Sequence, residues 1–126
     1  MTESDPWADV VIAMLSVNNY PLDKTFSLFD QLRANRLFDP SFLAASDAAE
    51  LARRLGAAGY DRGTTMTEIF ADRLLALGHL AESLRIDACT RILTKGSRDE
   101  VSSLLGSVKG VGPKVLENFF VLRGNG

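Results

Sequence analysis

Cysteine occurs once in the 126 residues, at Cys89, and histidine once, at His79. A single cysteine excludes an internal disulfide, an iron–sulfur cluster and a structural cysteine zinc site. A single histidine leaves no Cys/His metal constellation and at most one candidate triad base. The expectation is therefore no metal and no cofactor. Long apolar runs are lacking too: none approaches the roughly 18 residues of a membrane span. The first residues, MTESDPWAD, are acidic and lack the basic, then apolar, pattern of a signal peptide. These absences predict a soluble, cytoplasmic protein with no membrane partner. With 46% hydrophobic residues in a chain of this length, one core is expected, hence a single domain over 1–126.

The net charge of −2 conceals a gradient. Residues 1–83 carry 7 basic and 12 acidic side chains, whereas residues 84–126 carry 7 basic and 4 acidic ones. The acidity of the whole argues against indiscriminate nucleic-acid binding. The basic C-terminal part leaves a local phosphate site open.

Period-2 alternation is absent, and almost every segment reads as a short amphipathic helix. Asp5-Pro6 supplies an N-cap and a proline at the first helical position, followed by Trp7, Val10, Val11, Met14 and Leu15 on one face. Asn18-Asn19-Tyr20-Pro21 breaks that helix. The next is expected to bury Leu22, Phe26, Phe29 and Leu32, and Asp39-Pro40 opens a short third one through Phe42 and Leu43. Three capping boxes come next: Asp47 with Glu50, Thr65 with Glu68, and Ser97 with Glu100. The first box puts Ala48, Leu51, Ala52 and Leu55 inward and lets Gly59 end the helix. The second puts Met66, Ile69, Phe70, Leu74 and Leu77 inward. The third does so for Val101, Leu104, Leu105 and Val108. Residues 80–94 read as a further helix with a less clean face. The fold class is all-α, a compact cluster of about seven or eight short helices, too many and too short for a four-helix bundle.

Residues 101–123, VSSLLGSVKGVGPKVLENFFVLR, carry the chemistry. A helix ends near Gly106, and the turn Val108-Lys109-Gly110-Val111-Gly112 comes after it. Pro113 opens a helix that buries Leu116, Phe119 and Phe120 and can stop at Gly124. The two glycines open backbone conformations closed to other residues and remove Cβ atoms from the path of a phosphate. The amides behind them sit at a helix N-terminus, where unpaired donors and the dipole favour an anion. Lys109 and Lys114 add full charges, and Val111 is the apolar anchor of the turn.

The run Val108-Lys109-Gly110-Val111-Gly112-Pro113-Lys114 resembles the hxGhGxK pattern of a helix-hairpin-helix, a sequence-nonspecific DNA-backbone motif. The segment VVIAMLSV followed by Asn18-Asn19 is similar to the helix and polar turn that open the helix-hairpin-helix DNA glycosylases of the endonuclease III superfamily. DAAELARRLGAAGY, 47–60, is similar to that family's short helix ending in a Gly-aromatic turn. The resemblance runs over roughly residues 7–124 and implies the six-helix-barrel half of a glycosylase, with double-stranded DNA as partner. It also implies that Lys114 occupies the Schiff-base position of lyase-competent members, and that Asn18, Asn19 and Tyr20 lie where a lesion or groove is contacted. The sequence departs from the family in five respects. The family's catalytic aspartate lies beyond the hairpin helix, further along than this sequence extends, and the second helical domain and the four-cysteine cluster are missing. Asn18-Asn19 stands where glutamine is usual, and Gly63 where a basic residue is common.

Each candidate has a plainer reading. Lys114 must be unprotonated to attack a sugar, through burial or a neighbouring cation such as Lys109; otherwise it is a charged phosphate contact. Asn18 and Asn19 can offer amides to base edges or can be a turn pair before Pro21. Tyr60 is expected to pack, and Tyr20 is open between packing and stacking on a base or sugar. Arg53, Arg54 and Arg62 can extend a backbone-binding face, but the plainer reading is a solvated helix surface and turn. Glu117 is expected to form an i,i+3 ion pair with Lys114. As a stand-in for the missing carboxylate, the resemblance, through the family's topology, points to Asp61 over Glu117. His79 is expected at a helix end or partly buried, Cys89 in the core, and Trp7 as the anchor of the first helix.

Three functions compete. One is a DNA-binding module that grips the duplex backbone through Val108, Lys109, Gly110, Val111, Gly112 and Lys114, at damaged or abasic sites and without catalysis alone; bound to DNA, it would be nucleoid-associated. Another is a glycosylase or abasic-site lyase using Lys114, completed by a homodimer or partner subunit. The third is a protein-interaction domain that has lost DNA binding.

Overall fold

The computed structural model describes residues 5–124 and contains nine helices and no strand among them. The first, α1 (Pro6–Leu15), starts as its sequence demands. Asp5 accepts a hydrogen bond from the Trp7 amide at 3.0 Å, and Pro6 takes the first helical position, where its missing N–H costs nothing. The amphipathic template understates the burial of this helix, because every residue from Trp7 to Leu15 is buried. Ala8, Ile12 and Ala13 make the off-template face as apolar as the predicted one, and a helix apolar all round belongs at the centre of a core. Trp7 anchors the entry to α1 by donating from Nε1 to Thr90 Oγ1 at 2.8 Å. Asp9, 3% exposed, pairs with Arg123 at 3.0 Å. Its place in the first turn is also where the helix dipole favours a carboxylate.

The expected second helix is two: α2 (Leu22–Phe26) and α3 (Phe29–Ala34), separated at Ser27-Leu28. The division rotates the apolar set. Of Leu22, Phe26, Phe29 and Leu32, only Leu32 is fully buried, and Phe26 is 49% exposed. Thr25 takes the inward position instead and meets Ser16, Oγ to Oγ1, at 2.8 Å.

In α4 (Pro40–Ala45), Asp39 accepts from the amides of Ser41 and Phe42 as its sequence predicts. In α5 (Ala48–Ala57), Asp47 accepts from the Glu50 amide at 2.8 Å, but the box is only half made. The Glu50 carboxylate turns away to Arg53 and Arg54, and their hydrogen bonds hold its pKa below the usual value. Gly59, at φ +97°, ends the α5 segment.

The box expected at Thr65 and Glu68 does not form. Gly63, at φ +85°, precedes α6 (Thr64–Leu84), which begins without a side-chain cap, so neither residue plays a capping part. The entry is held by Asp61, which accepts from the Gly63 amide, and by Thr67 Oγ1, which accepts from the Arg62 amide. The helix then runs 21 residues, through the segment expected to divide it near Leu77. Gly78 lies inside it because α4 crosses there: a Cβ would fall 2.5 Å from the Ala44 nitrogen and 2.8 Å from Leu43 Cβ. His79, exposed in the body of α6, is neither at a helix end nor partly buried.

Arg85, at φ +75°, turns the chain into α7 (Ile86–Lys95), whose Cys89 and Leu93 are buried. Burial pushes the Cys89 thiol pKa up. Ser97 and Glu100 complete a full capping box on α8 (Arg98–Leu105), and α9 (Pro113–Leu122) returns to lie along α1. Asn118 of α9, 5% exposed, donates to the Ala13 and Ser16 carbonyls at 3.3 and 3.0 Å. No helix among the described residues is long and apolar enough to cross a membrane.

Candidate nucleic-acid interface

Val108 to Val111 form one tight turn closed by the Val111 amide on the Val108 carbonyl at 3.1 Å. In the type II form of such a turn the third position takes a positive φ, and Gly110 supplies it at +89°. Val108 is buried, and half-buried Val111 packs against the core, as the anchor reading requires. Gly112 differs from expectation. Its backbone is extended, at φ −125° and ψ −166°, a conformation open to any residue, and a Cβ there would meet nothing within 4 Å. Only Gly110 is required by the fold. The bareness of Gly112 leaves the start of α9 open from outside.

That start is uncapped. No side chain accepts from it, Pro113 has no N–H, and the first amide paired in α9 is Leu116, to the Gly112 carbonyl at 3.1 Å. The Lys114 and Val115 amides before it are the unpaired donors that a helix N-terminus offers to an anion. Lys114 is exposed and makes no ion pair with a described residue, so the expected pair with Glu117 is not formed. Lys109, also exposed, reaches Asp72 of α6 at 3.2 Å.

The second candidate group is Asn18, Asn19 and Tyr20. Both asparagines are left-handed, at φ +59° and +69°, a conformation asparagine tolerates better than most residues. Their side chains are exposed. Their backbone is held by Arg62, which donates to the Val17 carbonyl at 3.0 Å and to the Asn18 carbonyl. The same guanidinium donates to Tyr60 Oη at 3.0 Å, and Tyr60 Oη donates to the Leu15 carbonyl at 2.6 Å. Arg62 is therefore no solvated turn residue: it closes the C-terminal end of α1, where the dipole favours a cation. Arg54 is half-buried too, donating to the Asn35 carbonyl and lying 4.5 Å from the Phe42 ring. Arg53 remains exposed, as expected.

Tyr60 is fully buried, and burial pushes its pKa up to about 12 against the opposing pull of Arg62. Tyr20 is half-buried with its ring centroid 4.8 Å from that of Tyr60, and burial raises its pKa too. Lys24 and Arg62 each lie 4.8 Å from the Tyr20 ring. Packing thus occupies much of the Tyr20 ring.

The two candidate groups converge on one residue that the sequence pattern places only in the core. Phe70 of α6 has the Arg62 guanidinium 5.4 Å from its ring centroid and that of Arg73 at 5.3 Å. Arg62 carries the Asn18 turn, and Arg73 lies against Gly110. No motif points to Arg73. Its only sequence signal is a position on α6 three residues beyond the inward-facing Phe70.

Among the described residues, no group of three or more His, Cys, Asp or Glu side chains could hold a metal ion. Comparison with family models, with curated proteins and with solved structures finds no match for this chain.

Proposed function

We propose that this protein binds the sugar–phosphate backbone of duplex DNA through the 108–114 turn, in a repair-like setting, and does no chemistry alone. The observation that carries the reading is the open start of α9: unpaired amides behind a bare Gly112, with exposed Lys114 in the first turn. A phosphodiester matches that arrangement in charge and in hydrogen-bonding capacity. The Asn18-Asn19 turn, with exposed amides on a fixed backbone, is the candidate contact to a distorted or abasic position.

Fluorescence anisotropy with an abasic-analogue duplex and an intact duplex tests this at low and moderate salt. Affinity should fall with salt as counterions return to the phosphates. Lys109→Ala and Lys114→Ala should each weaken binding alike on all sequences. Unchanged affinity in both variants would remove the hairpin reading.

The lyase reading places a covalent bond at Lys114 Nζ. It needs Lys114 Nζ to reach the sugar C1′, and the side chain is exposed. Borohydride trapping on an abasic duplex decides it: an adduct lost in Lys114→Ala would establish the nucleophile. A specific observation also supports a protein-binding reading. Leu22, Phe26 and Leu122 line a mostly apolar cleft at the edge of α2 and α9. Absence of DNA binding by the wild-type chain would turn attention there.

A further inference from the structure

The hairpin has a third basic neighbour outside its sequence motif. Arg73 lies so close to Gly110 that a Cβ there would overlap its Cδ and Nε and sit 2.9 Å from Cζ. Gly110 is required by its positive φ, and the end of the Arg73 side chain fills the space a Cβ would take. Arg73 is half-buried and makes no ion pair with a described residue. Its Nε is buried with no hydrogen-bond acceptor. The adjacent carboxylate, Asp72, reaches Lys109 instead. A guanidinium drawn from water without a counter-ion is costly, and an orphaned buried donor calls for a reason.

We propose that Arg73 is the third cation of the hairpin's phosphate site, lying beside Gly110 and adding charge where a phosphodiester would lie. This rests on the DNA reading above. Arg73 packs on Gly110, inside the 108–114 run. The cleft that Arg73 and Lys109 share with Thr65 and Ile69 also carries Glu68 and Asp72, which repel an anion, whereas residues 110–116 contain no carboxylate. Partial burial also leaves the Arg73 charge less screened by salt than a surface charge would be.

The salt dependence of binding separates this role from that of a strut. With three cations each neutralising a phosphate, log K against log salt should slope at about −2.7, a loss of about 40-fold between about 50 and 200 mM salt. Arg73→Gln should reduce the slope to about −1.8, a loss of about 12-fold over the same range. Arg73→Lys should keep the wild-type slope even where its looser packing on Phe70 lowers affinity. Arg33→Gln on α3 should alter neither. Thermal melts confirm that each variant is folded, and Arg73→Lys carries the comparison if Arg73→Gln is not: retention of the full slope supports the proposal, a slope of two cations overturns it. A folded Arg73→Gln with the wild-type slope makes Arg73 a strut only and overturns the proposal. Lys114→Ala in the same series isolates the failure. If Lys114→Ala weakens binding and Arg73→Gln leaves the slope intact, the Arg73 role alone falls. If Lys114→Ala changes nothing, the hairpin reading falls and takes Arg73 with it.

Discussion

Replacing Tyr60 by phenylalanine removes one oxygen from the end of the buried helix and almost no volume. The lost hydroxyl donates to the Leu15 carbonyl at 2.6 Å and accepts from Arg62 at 3.0 Å. Arg62 retains the Val17 and Asn18 carbonyls, but the Leu15 carbonyl loses its side-chain donor in a fully buried place. An orphaned buried polar group costs about 1–3 kcal/mol. For 126 residues, with an unfolding entropy of about 2.1 cal/mol/K per residue, the melting temperature falls by about 4 °C per kcal/mol. Tyr60→Phe should therefore melt about 4–12 °C lower near neutral pH. The pH dependence gives a second constraint. Burial raises the Tyr60 pKa from 10.0 to about 12, so the folded protein holds the neutral phenol. Its contribution is complete below pH 10.0 and is lost as the pH rises towards about 12. Two units of pKa correspond to about 3 kcal/mol. The phenylalanine variant has no phenol to ionise at this position, so its deficit against the wild type should shrink between those pH values and close or reverse at the upper one. Urea unfolding of both proteins across that range measures the difference directly, with all other titrating groups common to both. A deficit that stays constant from neutral pH to the alkaline limit, or no deficit at all, would refute the role given to this hydroxyl.

The same geometry sets three further outcomes. Gly78→Ala gains about 1 kcal/mol of helix propensity but drives a Cβ into the α4 backbone, so a net loss of about 1–2 kcal/mol is expected in chemical unfolding. Asp72→Asn frees Lys109 and removes a negative charge beside the hairpin; DNA affinity should rise about fivefold at low salt, since a unit charge about 4 Å away is worth about 1 kcal/mol in water, and anisotropy reads it. Asn18→Gly with Asn19→Gly keeps the left-handed backbone while deleting both amides, so stability in a thermal melt should hold while any preference for the abasic duplex is lost; the corresponding alanine pair should instead cost about 1 kcal/mol or more per residue in strain.

What the sequence made legible is what neighbouring residues decide among themselves. Asp5, Asp39, Asp47 and Ser97 all cap, because a short polar side chain and the next two or three amides suffice. The 108–111 turn is legible for the same reason. Thr65 with Glu68 has the same spelling and fails, because Asp61 and Thr67 hold the entry so that the N-cap position falls at Gly63, two residues earlier. The use of Gly78 has no local signal because it is tertiary: α4 needs the space, and α6 tolerates the glycine. One continuous helix would put Phe26 inside, and the break at Ser27-Leu28 turns it out. The burial of α1 on every side has no single-segment signal, since it depends on α2, α6, α7 and α9 all packing on it. At the candidate site, the hairpin lysines and the asparagine pair were legible as residues. Their connection through Arg62, Phe70 and Arg73 was not, because an arginine on an amphipathic helix carries the same letter whether solvated or held.

That connection bears on how such a site would divide its work. Phosphate contacts fix position and carry no information about the base, so the hairpin, whatever its strength, cannot tell an intact duplex from an abasic one. Nor is the grip expected to be strong. One of its two lysines is held by Asp72, and the whole chain carries a net charge of −2. Discrimination would have to come from a place with exposed amides on a fixed backbone, and residues 18–19 meet that description. Arg62 and Arg73 reach the same Phe70 ring, so on the proposed reading the gripping turn and the reading turn would both be tied to α6. On that reading a weak clamp would help, since it would let the second turn sample many positions before one retains it. The arrangement predicts separable defects: Lys114→Ala should lower affinity for both duplexes and leave their ratio unchanged, whereas loss of the asparagine amides should change the ratio alone.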